Sequence, residues 1–131
     1  MSKGKAKSGR LSVFKGHEAK LNRAIFQILA LKGPLTIYDI HREVKAQRGL
    51  RQTHYANVNK RVRALEESGY IKKTGIKKTK AGFEASIYEL NAKGYLAILL
   101  NLVNLDDLLS RVDEDTASVI LGDFSIHWLK H

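Results

Sequence analysis

The stretch "VNKRVRALEESGYIKK", residues 58–73, joins two different periodicities at one glycine. Upstream of Gly69, the apolar residues Val58, Val62 and Leu65 recur at helical spacing, and extending the segment back to Gln52 adds Tyr55 to the same narrow arc. Gly69 reads as the helix stop, and Tyr70-Ile71 opens a strand-like run. At 100° per residue the opposite face of the helix holds Thr53, Ala56, Asn57, Lys60, Arg63 and Ala64, with Gln52 and Asn59 at its edge. That face carries amides, hydroxyls, basic groups and small residues. No carboxylate interrupts it before Glu66 and Glu67.

Toward the C-terminus, "YIKKT" (70–74) and "FEASIYEL" (83–90) read as two strands joined by a Lys/Gly-rich connection from Gly75 to Gly82. Five lysines and no acid lie between Tyr70 and Phe83: Lys72, Lys73, Lys77, Lys78 and Lys80. Ile71, Tyr88 and Leu90 can face the helices, while the lysines cannot. The next segment, "NAKGYLAILLNLVNLDDLL" (91–109), offers Asn91 as a cap and then a nearly continuous apolar helix to about Leu109, a pattern expected of a helix covered by more than one neighbour. The tail "RVDEDTASVILGDFSIHWLKH" (111–131) mixes acids with a second apolar cluster around Val119, Ile120, Leu121, Phe124, Ile126 and Trp128.

Toward the N-terminus, "HEAKLNRAIFQILALK" (17–32) places Leu21, Ile25, Ile28 and Leu29 on one stripe before Gly33-Pro34. In "LTIYDIHREVKAQRG" (35–49), Thr36 is an N-cap with Asp39 three residues on, Ile37, Ile40 and Val44 share a face, and Gly49 ends the helix. Residues 1–16 hold five Lys/Arg, three Gly and no acid, the composition of a mobile basic arm.

The 131 residues suffice for one compact domain with tails, and 44% are hydrophobic, enough for a core. Cysteine is absent, which excludes disulfides, thiolate zinc sites and cysteine catalysis. No apolar run reaches membrane-spanning length and no secretory pattern follows "MSKGKAKSGR", so a cytoplasmic protein without membrane attachment is expected. The net charge of +10 is uneven: residues 1–100 carry 21 basic and 7 acidic groups, and residues 101–131 carry 2 and 6. One surface is thereby suited to a polyanion and another is not.

Helix, helix, helix, two-stranded hairpin and a further helix is the order of a winged helix-turn-helix domain. "VNKRVRALEESGYIKK" resembles the end of the recognition helix and the entry to the wing in MarR-type and PadR-type regulators. "IYELNAKGYLAILL" (87–100) resembles the wing's return strand and the helix after it, with Asn91 where Thr is usual, an exchange between two good N-cap residues. The resemblance covers about residues 17–103 and implies an α+β, mostly helical fold: a three-helix core plus β-hairpin wing at 17–91, behind a basic arm at 1–16, with a C-terminal helical extension at 92–131.

It also implies double-stranded DNA as partner, and a transcriptional regulator or nucleoid-associated factor as function. The second helix of such a motif lies in the major groove, where Gln and Asn suit adenine and Arg suits guanine. Gln52, Thr53, Asn57, Lys60 and Arg63 are the groove-facing candidates. Lys72, Lys73, Lys77, Lys78 and Lys80 are expected on phosphates or in the flanking minor groove, and Lys3, Lys5, Lys7 and Arg10 in an adjacent minor groove.

Leu96, Leu99, Leu100, Leu102 and Val103 form the expected interface of a two-fold homodimer. The other cover available to them is the chain's own Val119–Leu129. Two further readings stand beside DNA binding, a protein-protein adaptor using the apolar C-terminal segment and an RNA-binding module. Neither enzymatic activity, a cofactor nor a metal site is expected. His17, His41, His54, His127 and His131 lack metal-ligand spacing, and Asp106, Asp107, Asp113, Glu114 and Asp115 read as a solvated acidic run.

Overall fold

The structure, a computed structural model, describes residues 11–129. Its elements are a 3-10 turn at Ser12–Phe14, α1 (Ala19–Lys32), β1 (Leu35–Thr36), α2 (Ile37–Lys45), α3 (Tyr55–Glu67), β2 (Ile71–Lys78), β3 (Glu84–Leu90), α4 (Ala92–Leu102), α5 (Leu105–Arg111) and α6 (Glu114–Leu129). They fall into two compact units that divide between Asn101 and Leu102. The division comes after the expected boundary at 91/92, because Gly94, Ala97 and Ile98 bury one side of α4 in the first unit.

In the first unit α1, α2 and α3 supply one face each to a single core. Leu21, Ile25, Ile28 and Leu29 of α1, Ile37, Ile40 and Val44 of α2, and Val58, Val62 and Leu65 of α3 are all buried. The α2 start is built as its sequence suggests, with the Asp39 amide donating to Thr36 Oγ1 at 3.1 Å. Ile71, Tyr88 and Leu90 close the core from the sheet, whose antiparallel order is β1-β3-β2. The third strand, β1, is only Leu35-Thr36 paired with Tyr88 and Ile87, too short to leave a periodic signal.

Residues 11–14 depart from the expected basic arm. Phe14 is fully buried edge-on against Phe26, with ring centroids 5.0 Å apart, and Leu11 and Val13 pack on the same core. The turn is tied down through Asn22, a buried polar residue with both ends of its amide in use. Its Nδ2 donates to the Val13 carbonyl at 2.8 Å, and its Oδ1 accepts from Arg61 Nε at 3.1 Å. Leu11, Val13 and Phe14 provide the apolar burial that offsets the ordering entropy, which a count of basic and glycine residues does not register. Lys3, Lys5, Lys7 and Arg10 lie outside the described residues.

The end of α3 is a left-handed glycine cap. Gly69 has φ +86, the Gly69 amide donates to the Glu66 carbonyl, and the Tyr70 amide donates back to the Leu65 carbonyl at 2.9 Å. Asn91 and two residues of α4 then fasten to this corner. Asn91 Oδ1 caps α4 through the Gly94 amide at 2.9 Å while its Nδ2 donates to the Gly69 carbonyl. Lys93 Nζ donates to the Ser68 carbonyl at 3.0 Å and sits 4.8 Å from the centre of the Tyr70 ring. Gly94 lies directly on the Tyr70 carbonyl, where a Cβ would meet the oxygen at 2.3 Å. The spacing Asn91-Ala92-Lys93-Gly94 is thus a docking device between the helix and the corner, in which Asn91, Lys93 and Gly94 each make a contact suited to their residue type.

The expected single helix from Ala92 to about Leu109 is instead two. α4 ends at Leu102 in the first residue of the second unit, and Asn104 starts α5 by accepting from the Asp107 amide at 3.0 Å. A competing cap inside an apolar run wins over helix continuation there. Nor is α4 buried all round: Leu96, Leu99 and Leu100 are exposed.

In the second unit the acidic run is explained by two helix starts. Asp106 and Asp107 occupy the first turn of α5, and Glu114 and Asp115 that of α6, where the helix dipole favours negative charge. Asp113 caps α6 by accepting from the Thr116 amide at 2.7 Å, and hydrogen bonding by Thr116 holds its carboxyl below the usual carboxylate range. Leu105, Leu108, Leu109, Val119, Ile120 and Leu121 are exposed. Among the described residues no helix is long and apolar enough to cross a membrane.

Candidate nucleic-acid interface

The outer face of α3 is presented by what the inner face buries. With Val58, Val62 and Leu65 sunk in the core, Ala56, Asn57, Lys60 and Arg63 stand exposed on the other side. Arg63 is braced within the helix, its Nε donating to Asn59 Oδ1 one turn back at 2.9 Å. Arg61, by contrast, turns inward to Asn22 and, at 3.9 Å, to Glu18, which takes it out of the outer face.

Gln52 and Thr53 sit elsewhere than the helical extrapolation puts them. α3 begins at Tyr55 with His54 as its N-cap residue, so both precede the helix in the turn after α2. Gln52 is exposed there; Thr53 is half-buried, and its carbonyl accepts from His41 Nε2 at 2.8 Å. Tyr55, expected in the apolar arc, is 44% exposed and meets the His41 ring edge-on at 5.6 Å. The first residue of a helix projects past the core that its later turns cover, and Tyr55 here lines an open cleft with Ile37 and Tyr38 of α2 and Glu84, Ala85 and Ser86 of β3.

The wing is longer and more regular than its lysine-rich sequence suggests. β2 pairs with β3 from Ile71↔Leu90 to Lys78↔Glu84, with a bulge between Lys73 and Gly75, so Lys77 and Lys78 lie on the strand. Only Thr79 to Phe83 forms the tip, closed by Thr79 Oγ1 accepting from the Phe83 amide at 3.1 Å and by Gly82 at φ +88. All five lysines are exposed. Lys72 faces Glu89 across the strands at 3.7 Å, and Lys77 reaches Asp39 of α2 at 3.8 Å. Lys73, Lys78 and Lys80 have no carboxylate within 4.0 Å among the described residues.

Several exposed groups beside these went unread in the sequence. Tyr38 and Arg42 share a face of α2, the guanidinium lying 5.8 Å from the ring centre, and Arg48 and Arg51 lie in the turn before α3, Arg51 exposed. The i,i+4 spacing of Tyr38 and Arg42 was a legible signal. The turn arginines had none, because their place beside α3 depends on how the turn folds. Phe83 is 72% exposed at the wing tip and Ile76 is exposed on β2. Asn57, Lys60 and Arg63 share α3, while the lysines share the adjoining hairpin. Among the described residues no three His, Cys, Asp or Glu side chains gather as a metal site would need.

No family model matches the chain, and no curated protein matches it. Its structure is similar to that of Bacillus subtilis PadR, solved in complex with operator DNA, at 20% identity and a TM-score of 0.53 over 82% of this chain and 68% of that one. It is also similar to a protein of Thermoplasma acidophilum described as a putative transcriptional regulator, at 19% identity and a TM-score of 0.52 over 72% of this chain and 99% of that one. The expected winged helix-turn-helix fold, α+β with a hairpin wing, is the fold of the chain.

Proposed function

We propose that this chain is a DNA-binding winged-helix transcriptional regulator without catalytic activity. The observation that carries the reading is that Asn57, Lys60 and Arg63 stand exposed on α3, while Arg63 lines a cleft with Glu84 and Ala85 of β3, the residues paired with Lys78 and Lys77 of the wing. In the proposed complex α3 enters the major groove, where Asn57 and Arg63 suit base edges. The wing lies along the flanking backbone, its lysines meeting phosphates, and Gln52 and Thr53 stand at the groove-entering end of α3. PadR, which shares the fold, was solved on operator DNA, and that supports the partner.

Counterion release makes such binding steeply salt-dependent. With roughly six to ten phosphates contacted, affinity should fall about a thousandfold or more across a fourfold rise in salt. Fluorescence-anisotropy titration of a random-sequence duplex and a matched RNA duplex at two salt concentrations measures this. Tight, salt-steep binding to DNA over RNA is expected. Equally weak binding to both would remove the DNA reading and favour an adaptor.

The regulator is proposed to act as a homodimer, since dimers read paired half-sites. Leu96 and Leu99 are 56% and 57% exposed and Leu100 is exposed on the same helix, an apolar face for which a second copy is the proposed cover; exposed Leu102 and half-buried Val103 of the second unit are proposed for the same interface. Sedimentation velocity should give a dimer for the native chain and a monomer for Leu96→Glu/Leu99→Glu, with the first unit's melting little changed. A native monomer at micromolar concentration would refute this part.

A further inference from the structure

Two cations from different elements converge on one carboxylate at the edge of the proposed DNA-facing surface. Asp39 Oδ1 lies 3.1 Å from Arg42 Nη2, and Asp39 Oδ2 lies 3.8 Å from Lys77 Nζ on the wing. Asp39 belongs to the first turn of α2, and the cleft between that turn and the wing is lined by Tyr38, Arg42, Lys77, Lys78 and Lys80 as well. Asp39 is the one acid among these residues. Its side chain is 16% exposed, against 63% for Arg42 and 59% for Lys77, so the carboxylate sits at the bottom and the cations at the rim.

We propose that this cleft is a backbone-phosphate subsite, and that Asp39 occupies its cations in the free protein as an internal competitor for DNA. The inference rests on the DNA-binding reading above. A carboxylate and a phosphate oxygen offer the same acceptor to a guanidinium or an ammonium, so Arg42 and Lys77 cannot serve both fully. In the free protein the acid compensates the repulsion between Arg42 and Lys77 and draws the wing toward α2. On the duplex, an approaching phosphate takes over the same two donors and meets the Asp39 charge behind them. The result is a reader whose affinity is held below what its lysine count allows, which favours release from non-specific sequence where phosphate contacts supply nearly all the binding.

The test compares the native chain with Asp39→Asn, which keeps the shape of the side chain and leaves the residue 39 amide on Thr36 Oγ1 in place. Anisotropy titration of a random-sequence duplex at about 50 and 200 mM salt should show the variant binding about fivefold to tenfold tighter at the lower salt, with a salt slope steeper by about one. Lys77→Ala, made in both backgrounds, should weaken binding more in Asp39→Asn than in the native chain. Equal affinities and slopes for the native and Asp39→Asn chains, both folded by circular dichroism, would overturn the competitor role and leave DNA binding standing. Failure of both to bind any duplex would overturn the reading beneath it as well. A variant that loses helical signal is replaced by Asp39→Ser, for which the same expectations hold.

Discussion

Replacing Lys77, Lys78 and Lys80 together by alanine is expected to weaken duplex binding by about a hundredfold at about 0.1 M salt and to lower the salt slope by two to three. The magnitude follows from counterion release: near that salt concentration, removing one phosphate-bound cation lowers affinity by roughly tenfold. Three equivalent lysines would give about a thousandfold, but Lys77 is already shared with Asp39 and should count for less. The three side chains are exposed, so melting should stay unchanged. Anisotropy titration at several salt concentrations, with a melting curve as control, is the measurement. Unchanged affinity in the folded triple variant would make the lysines a device for solubility or for blocking strand-edge pairing.

The largest stability effect is expected at Gly94. An alanine Cβ there would stand 2.3 Å from the Tyr70 carbonyl oxygen and 2.9 Å from Leu90 Cδ2. The oxygen cannot retreat freely, because it also accepts from the Asn91 amide at 3.1 Å, and Leu90 is buried. Overpacking against backbone costs about 3 kcal/mol, and the helix propensity of alanine over glycine returns about 1 kcal/mol. Gly94→Ala should therefore destabilise the first unit by about 2 kcal/mol and lower its melting temperature by roughly 10 °C. Gly122, with open space around the added carbon in α6, is the matched control. Gly122→Ala should be neutral or slightly stabilising. A Gly94→Ala chain that melts no lower than the native one would show that the corner can shift to admit the methyl group.

Much of the architecture could be read from the chain because its signals are local and redundant. Val58, Val62 and Leu65 mark a buried helical stripe, Gly69 supplies the one residue type that adopts φ +86 without strain, and Thr36-Asp39 is a cap that forms as its spacing suggests. What could not be read depends on contacts distant in sequence. Phe14 looks like part of a basic arm until Phe26 is brought against its ring and Asn22 ties down the neighbouring Val13 carbonyl. Gln52 and Thr53 look helical until His41 engages the Thr53 carbonyl from twelve residues away. The break at Asn104 reflects a competition between capping and continuation that apolar periodicity alone does not register. At the candidate interface, the lysines of the hairpin were legible as a cluster, but their pairing with Asp39 and Glu89 was not, and that pairing distinguishes Lys72 and Lys77 from Lys73, Lys78 and Lys80.

The corner at Gly69-Tyr70 also sets what kind of control the protein can be subject to. The end of α3, the root of β2 and the start of α4 are bolted together there by the Asn91, Lys93 and Gly94 contacts. Helix, wing and α4 therefore turn as one spanner head around a common bolt. A displacement of α4 is passed through those contacts to the end of α3 and the root of the wing together. In the proposed homodimer on one duplex, the quantity open to adjustment would be the distance and angle between the two heads, measured against the helical repeat of the DNA.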